Sequence, residues 1–226
     1  MLAAALAHGR DGRAPQLTEP GAWGPWVDGG GWLLIDGMAV DWIYRDLDRV
    51  RASCVAAQQG AAQFHAQVGH PLGVPDFAYA GEVALGQVLA DPDGKLAALR
   101  RQVAPYPAAL ADALIGGLTE AEFLLGGLGK PAARGDVAFV AGALFRVIGL
   151  CAHALHARAG CWVITEKGLV DVTGTLASAP ANFSRRSHAL LGRLGTTPDE
   201  LRASTASAGA LLSEVVAVCA GPPPPG

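Results

Sequence analysis

The dipeptide Asp36-Gly37 sits between the apolar runs Trp32-Leu33-Leu34-Ile35 and Met38-Ala39-Val40, and it constrains this chain more than any other feature. A type I′ turn needs φ > 0 at both central residues. Asp-Gly supplies that, so flanking apolar runs fold as a β-hairpin. The spacing predicts strands over 32–35 and 38–44, with Ile35 opposite Met38, Leu33 opposite Val40 and Trp32 opposite Asp41. Side chains alternate between the faces of a strand, so Asp41 shares a face with Ala39 and Ile43. A carboxylate in that apolar row is expected to hold a metal ion, to pair with Arg45 or to reach water at the strand's end. A lone hairpin is marginal in water and exposes its edges. Residues 16–18, covering helices or the strands of a second copy in a homodimer are therefore expected beside it.

The remaining composition points to helices. Of 226 residues, 51% are hydrophobic but only 6% aromatic, and Ala and Gly dominate, which suits closely packed helices in one domain or two small ones. A net charge of −3 with no basic stretch gives no electrostatic footprint for nucleic acid. Cys54, Cys151, Cys161 and Cys219 form no CxxC pair. Residues 1–8 are too short for a secretory signal, and no apolar run reaches the ~18 residues that span a bilayer. The expectation is a cytoplasmic protein with reduced thiols and no membrane partner. Cys54, His65 and His70 do not have zinc spacing.

Along the chain, residues 1–7 read as the end of a helix and 16–18 as a short strand. Trp23-Gly24-Pro25-Trp26-Val27-Asp28 and three glycines form an irregular lead-in to the hairpin. The glycines are read as a flexible lead-in rather than a phosphate cradle, because no Lys and no Ser/Thr stands at P-loop spacing. Asp46 or Asp48 caps a helix to about Gln59. Residues 60–78 read mostly as loop, with Pro71 and Pro75 as breakers. Helices are predicted over 79–90, 95–103 and 107–118, then 119–129 with Thr119 and Glu122 as a capping box. Asp136 opens an almost wholly apolar helix over 137–157, central in its bundle. Residues 160–176 read as loop or short strand, and 183–194 as helix. The last helix begins with Thr197 as N-cap, Pro198 at the first position and Glu200 three beyond the cap, and ends near Cys219.

The segments Trp23-Gly24-Pro25-Trp26, Val40-Asp41-Trp42-Ile43, Gly69-His70-Pro71-Leu72-Gly73, Tyr79-Ala80-Gly81-Glu82, Arg134-Gly135-Asp136 and Glu166-Lys167-Gly168 together resemble bacterial proteins of the nucleotidyltransferase superfamily related to aminoglycoside nucleotidyltransferases. The resemblance covers nearly the whole chain. It implies transfer of a nucleoside monophosphate from an NTP such as ATP to a hydroxyl of an aminoglycoside-like small molecule, with Mg²⁺. In that superfamily a Gly-Ser turn binds the phosphates, an Asp-x-Asp holds two metal ions and a carboxylate on a later strand completes the site. Asp41 matches the third position. No Gly-Ser precedes the hairpin, and Asp46-Leu47-Asp48 has the letters of Asp-x-Asp only after Asp41. The implied fold is α+β, mostly α. Residues 1–45 would be a partial α/β region lacking its leading strands, residues 46–220 a substrate-side helical bundle, and residues 221–226 a disordered tail. The same departure implies a second reading, a catalytically inactive helical scaffold.

The candidate residues follow. Asp41 is the expected catalytic carboxylate and metal ligand. A base that deprotonates the acceptor hydroxyl would be Glu82, Glu120 or Glu122. All three stand near helix N-termini, where capping alone explains a carboxylate. Glu122 shares a helix face with Leu118, Leu125 and Gly129, surroundings that raise a carboxyl pKa. Lys130, Arg134 and Lys167 are the expected phosphate contacts, with Arg134 alternatively paired to Asp136 across Gly135. The tryptophans at 23, 26, 32 and 42 are expected mainly as core around the hairpin. Arg146 and His153, seven apart on the apolar helix, also resemble the Arg–His motif of metal-independent helical ribonucleases. The alternatives are a bundle ion pair for Arg146 and a satisfied core histidine for His153.

Overall fold

The computed structural model of the chain describes residues 7–9 and 11–221. Its strands are β1 (Ala7–Gly9), β2 (Gly30–Ile35), β3 (Met38–Ile43), β4 (Phe64–Gln67) and β5 (His70–Pro75). The helices are α1 (Leu47–Gln58), which lies between β3 and β4, and after β5, α2 (Ala78–Leu85), α3 (Lys95–Val103), α4 (Ala108–Gly116), α5 (Leu118–Gly127), α6 (Gly129–Ala133), α7 (Val137–Arg158), α8 (Leu169–Thr173), α9 (Phe183–Gly192) and α10 (Pro198–Ala220). The fold is α+β and mostly α.

Asp36 and Gly37 both have positive φ, +50° and +80°, as a type I′ turn requires. The register is the expected one: Ile35 faces Met38, Leu33 faces Val40 and Trp32 faces Asp41. The third strand beside the hairpin is not residues 16–18 but β1, antiparallel to β2. Residues 16–18 are instead held by the glycine run. Thr18 N–H donates to the Gly30 carbonyl at 2.8 Å, and Gly30 N–H donates to Thr18 Oγ1 at 2.9 Å. At Gly30, with φ +149°, a Cβ would overlap the Trp42 carbonyl. The chain's own backbone therefore occupies the space these glycines open. The helix expected over residues 1–7 lies outside the described residues except for Ala7, which begins β1, and of the expected tail only Gly221 is described.

The 60–78 stretch is not loop but contains the β4–β5 hairpin, turning at Val68-Gly69 with Gly69 at φ +84°. A two-stranded sheet leaves one edge of each strand unpaired, so Pro71 and Pro75 take positions that need no donor. α2 stops at Leu85, short of Ala90, where Gly86 turns extended. Thr119 forms no capping box, because it lies inside α5 and donates to the Gly116 carbonyl at 2.8 Å. Pro107 precedes α4 instead of opening it, Pro131 sits inside α6, and α8 occupies part of the expected loop. Three caps follow the sequence: Asp46 accepts from Arg49 N–H at 2.8 Å, Asp136 accepts from Phe139 N–H at 3.2 Å, and Thr197 with Glu200 forms a capping box on α10.

Two apolar clusters make the core. One lies among α1–α4, β5 and the start of α2, around Phe77, Val103 and Leu110. The other surrounds α7, which packs against α4, α5, α6, α8, α9 and α10. α7 and α10 are each long and apolar enough to cross a membrane by length and composition. α7 places most of that surface against neighbouring helices. Leu144, on α7, is fully buried, whereas Phe123, on α5, is 82% exposed. Leu144→Ala is expected to cost about 2–5 kcal/mol, the price of a cavity in close-packed surroundings, and Phe123→Ala to stay within about 0.5 kcal/mol of wild type, both read by urea denaturation.

Candidate functional site

A cleft of about 720 Å³ opens where the first sheet, the β4–β5 turn, α2 and the segment after α7 converge. Strand alternation places Trp32, Asp41 and Ile43 on the cleft side of the sheet, as the hairpin register requires. Trp23 and Trp26 come from the lead-in loop, Gln67 and His70 from the second hairpin, Arg45 and Glu82 from the sheet–helix junction, and Lys167 from the segment after α7.

Gln67 holds the lead-in loop at both ends of its amide. Its Nε2 donates to the Trp23 carbonyl at 2.6 Å, and its Oε1 accepts from Trp26 N–H at 3.1 Å. Gly24, at φ +113°, has no Cβ to collide with that amide. Asp28, 7% exposed, fixes the other side of the loop to α1, accepting from Asp46 N–H at 3.0 Å and from Arg49 at 2.8 Å. The Tyr79 hydroxyl donates to the Trp26 carbonyl. This loop is tethered through specific bonds at Trp23, Trp26 and Asp28, which fixes the backbone that carries its indoles.

Glu82 is clasped by Arg45 through two bonds of 2.5 and 2.6 Å, and the guanidinium lies 4.8 Å over the Tyr79 ring. Burial works against the Arg45 charge, and the bonds and charge of Glu82 more than offset it, raising the Arg45 pKa above its ordinary value. A carboxylate so engaged is a positioning group, not a base waiting for a proton. Beside the cleft, burial raises the Glu166 carboxyl above the usual range, against a backbone N–H at Leu72 and the charges of His70 and Lys167.

Three of the expected site residues, Asp41, Glu82 and Lys167, therefore meet in this cleft although they are far apart in sequence. Glu122, Lys130 and Arg134 do not join them; all three are solvent-exposed on α5, α6 and the turn after it. The expected apolar setting of Glu122 is absent, because α5 turns Leu118 and Ala121 inward and Glu122 outward. Asp136 is spent on capping α7, so it does not serve Arg134 across the turn. The tryptophans are not mainly core: Trp32 is 55% and Trp42 47% exposed, and Trp23, Trp26 and Trp32 line the cleft. Gln67 and Asp28, which organise the lead-in loop, carry no sequence signal beyond the turn-rich segment that Asp28 closes.

Among the described residues, no group of three His, Cys, Asp or Glu side chains stands together as a metal site. The cleft's two carboxylates are Asp41 and Glu82, and Glu82 is committed to Arg45. This donor set does not fit a protein-held Mg²⁺, so no chemical step is derived through a metal.

A second cavity, about 300 Å³, is lined by Glu120, Arg146 and His153. Arg146 is paired with Glu120 at 2.8 and 3.1 Å, the bundle ion pair the sequence allowed. His153 is 3% exposed between Phe64 and Phe77, and its Nδ1 has no partner, so it is a core histidine but not a satisfied one. Burial, then the neighbouring His156 and Arg146, lowers its pKa to about 3. Such an imidazole is neutral at pH 7 and weakly basic, which does not suit acid–base work on RNA.

Two measurements follow from this geometry. The double-mutant cycle on Arg45 and Glu82 is expected to return a coupling of about 1–3 kcal/mol, as for a half-buried bidentate pair. The exposed Arg51–Asp48 pair is expected to return less than about 0.5 kcal/mol. The folded pKa of His153, about 3, lies below its ordinary 6.5. The unfolded chain takes up that proton as pH falls through about 6.5 and the folded chain does not until about 3, so stability is lost across this window. His153→Leu is expected to flatten that loss, measured as the difference in unfolding free energy between about pH 7 and about pH 4.5.

No family model, no curated protein and no solved structure matches this chain.

Proposed function

We propose that this chain is a nucleotidyltransferase-like protein that binds an NTP in the 720 Å³ cleft, the reaction class being transfer of a nucleoside monophosphate to a hydroxyl of a small molecule such as an aminoglycoside. The observation that carries the reading is the convergence of Asp41, Glu82 and Lys167 on one cleft from the sheet, α2 and the segment after α7. The resemblance in the sequence draws on those same stretches. Lys167 suits a phosphate as a point charge. Asp41 stands opposite Trp32 on an exposed strand, where a ligand can reach it. Positioning and electrostatics are the means such a site has for phosphoryl chemistry.

A second reading, a nucleotide-binding scaffold without transfer, is favoured by the Arg45–Glu82 pair, which occupies one of the cleft's two carboxylates. Calorimetric titration with ATP and Mg²⁺, followed by an assay for pyrophosphate release with an aminoglycoside, separates the two. The expected result is binding at or below millimolar ATP, weakened several-fold by Lys167→Gln. Heat of binding without pyrophosphate release selects the scaffold, and no heat at millimolar ATP overturns both.

A further inference from the structure

Trp23 and Trp32 stack on each other inside the cleft, with ring centroids 4.7 Å apart and an interplanar angle of 18°. Stacking covers one face of Trp32, yet Trp32 keeps 55% of its surface exposed. The Trp32 backbone is set by the β2–β3 register, and the Trp23 backbone is held by Gln67. His70 and Lys167 also line the cleft and supply polar and cationic groups. A stacked pair of indoles on anchored backbone, one of them half exposed, presents a flat apolar surface of the kind that marks a ligand site.

Resting on the nucleotide reading above, we infer that the Trp23–Trp32 pair is the base-binding shelf of the cleft, receiving a purine on the open face of Trp32 while Lys167 holds the phosphates. The charge pattern fits that orientation. Neither indole bears charge, and among the described residues that line the cleft the Lys and Arg side chains are Lys167 and the Glu82-bound Arg45. A purine offers more stacking area than a pyrimidine, so ATP is expected to bind more tightly than UTP. Base–aromatic stacking tolerates different ring substituents because every base has a π-face, so the preference is one of ring size.

The test uses the full chain without divalent cations, titrated calorimetrically and by intrinsic tryptophan emission with ATP, UTP, adenosine and inorganic tripolyphosphate. Expected are quenching by ATP and adenosine, and binding of tripolyphosphate without quenching. Trp32→Val, at an exposed strand position, is expected to weaken ATP roughly tenfold and to abolish adenosine binding while leaving tripolyphosphate unchanged. Lys167→Gln is expected to do the reverse. Trp23→Val is the second test of the shelf, and circular dichroism checks that each variant keeps its fold. Unchanged ATP affinity in both tryptophan variants overturns the shelf while leaving the nucleotide reading standing. Adenosine bound without any affinity for ATP or tripolyphosphate supports the shelf and removes the phosphate side of that reading. No binding of any of the four overturns both.

Discussion

The bond pair between Arg45 and Glu82 is the constraint on which the cleft depends. Arg45 stands two residues after β3, and Glu82 lies on α2, so the pair fastens the sheet to the first helical cluster. Both side chains are mostly covered, with Tyr79 beneath the guanidinium. At the surface such a pair contributes little. Half-buried and bidentate, it also fixes direction, because the guanidinium fork accepts a carboxylate in few orientations. Losing either partner would leave a partly desolvated charge in the lining of the cleft.

Around that tie, each wall is held by short-range chemistry. The sheet wall takes its register from Asp36-Gly37. The lead-in loop is pinned by the two ends of one side-chain amide and by Asp28, which also receives the first free N–H group near the α1 cap. The rear of the molecule is different in kind. α7 is surrounded by helices, and its burial is apolar apart from His153 and His156. The rigidity of the cleft is thus polar and local, and that of the bundle is hydrophobic and diffuse, which lets loops beside the cleft vary without repacking α7.

Legibility in the sequence follows the same division. The β2–β3 register was readable because only one turn type suits Asp-Gly between apolar runs, and the α10 start because Thr197, Pro198 and Glu200 each satisfy a separate backbone need. The β4–β5 hairpin was hidden because Pro71 and Pro75 read locally as breakers, whereas only the free edges of a two-stranded sheet excuse their missing donors. α8, five residues long, is too short to show a period. In the cleft, alternation put Asp41 on one face with Ile43, and both line the cleft. That Glu82 would be clasped was not readable, since its partner lies 37 residues away. Glu122 misled because its spacing from Leu118 and Leu125 matches one helix face, while packing against α7 selected the neighbouring face through Leu118, Ala121 and Leu128.

The glycine run carries a consequence for how phosphate could be bound here. Backbone amides freed by glycines are a common cradle for phosphates. In this chain the Gly30 amide is already donated to Thr18 Oγ1, and the Gly30 carbonyl accepts from Thr18 N–H. Missing Cβ atoms at Gly29 and Gly31 make room for Thr18, Glu19 and Gln16, not for a ligand. An anion entering the cleft would thus meet side chains such as Lys167 and His70 instead of a loop of glycine amides. Recognition through one flexible ammonium is less geometrically demanding than recognition through fixed N–H groups. Selectivity among ligands would therefore fall to the sheet wall and the anchored loop, where the backbones of Trp32 and Asp41 are set by strand register and that of Trp23 by Gln67.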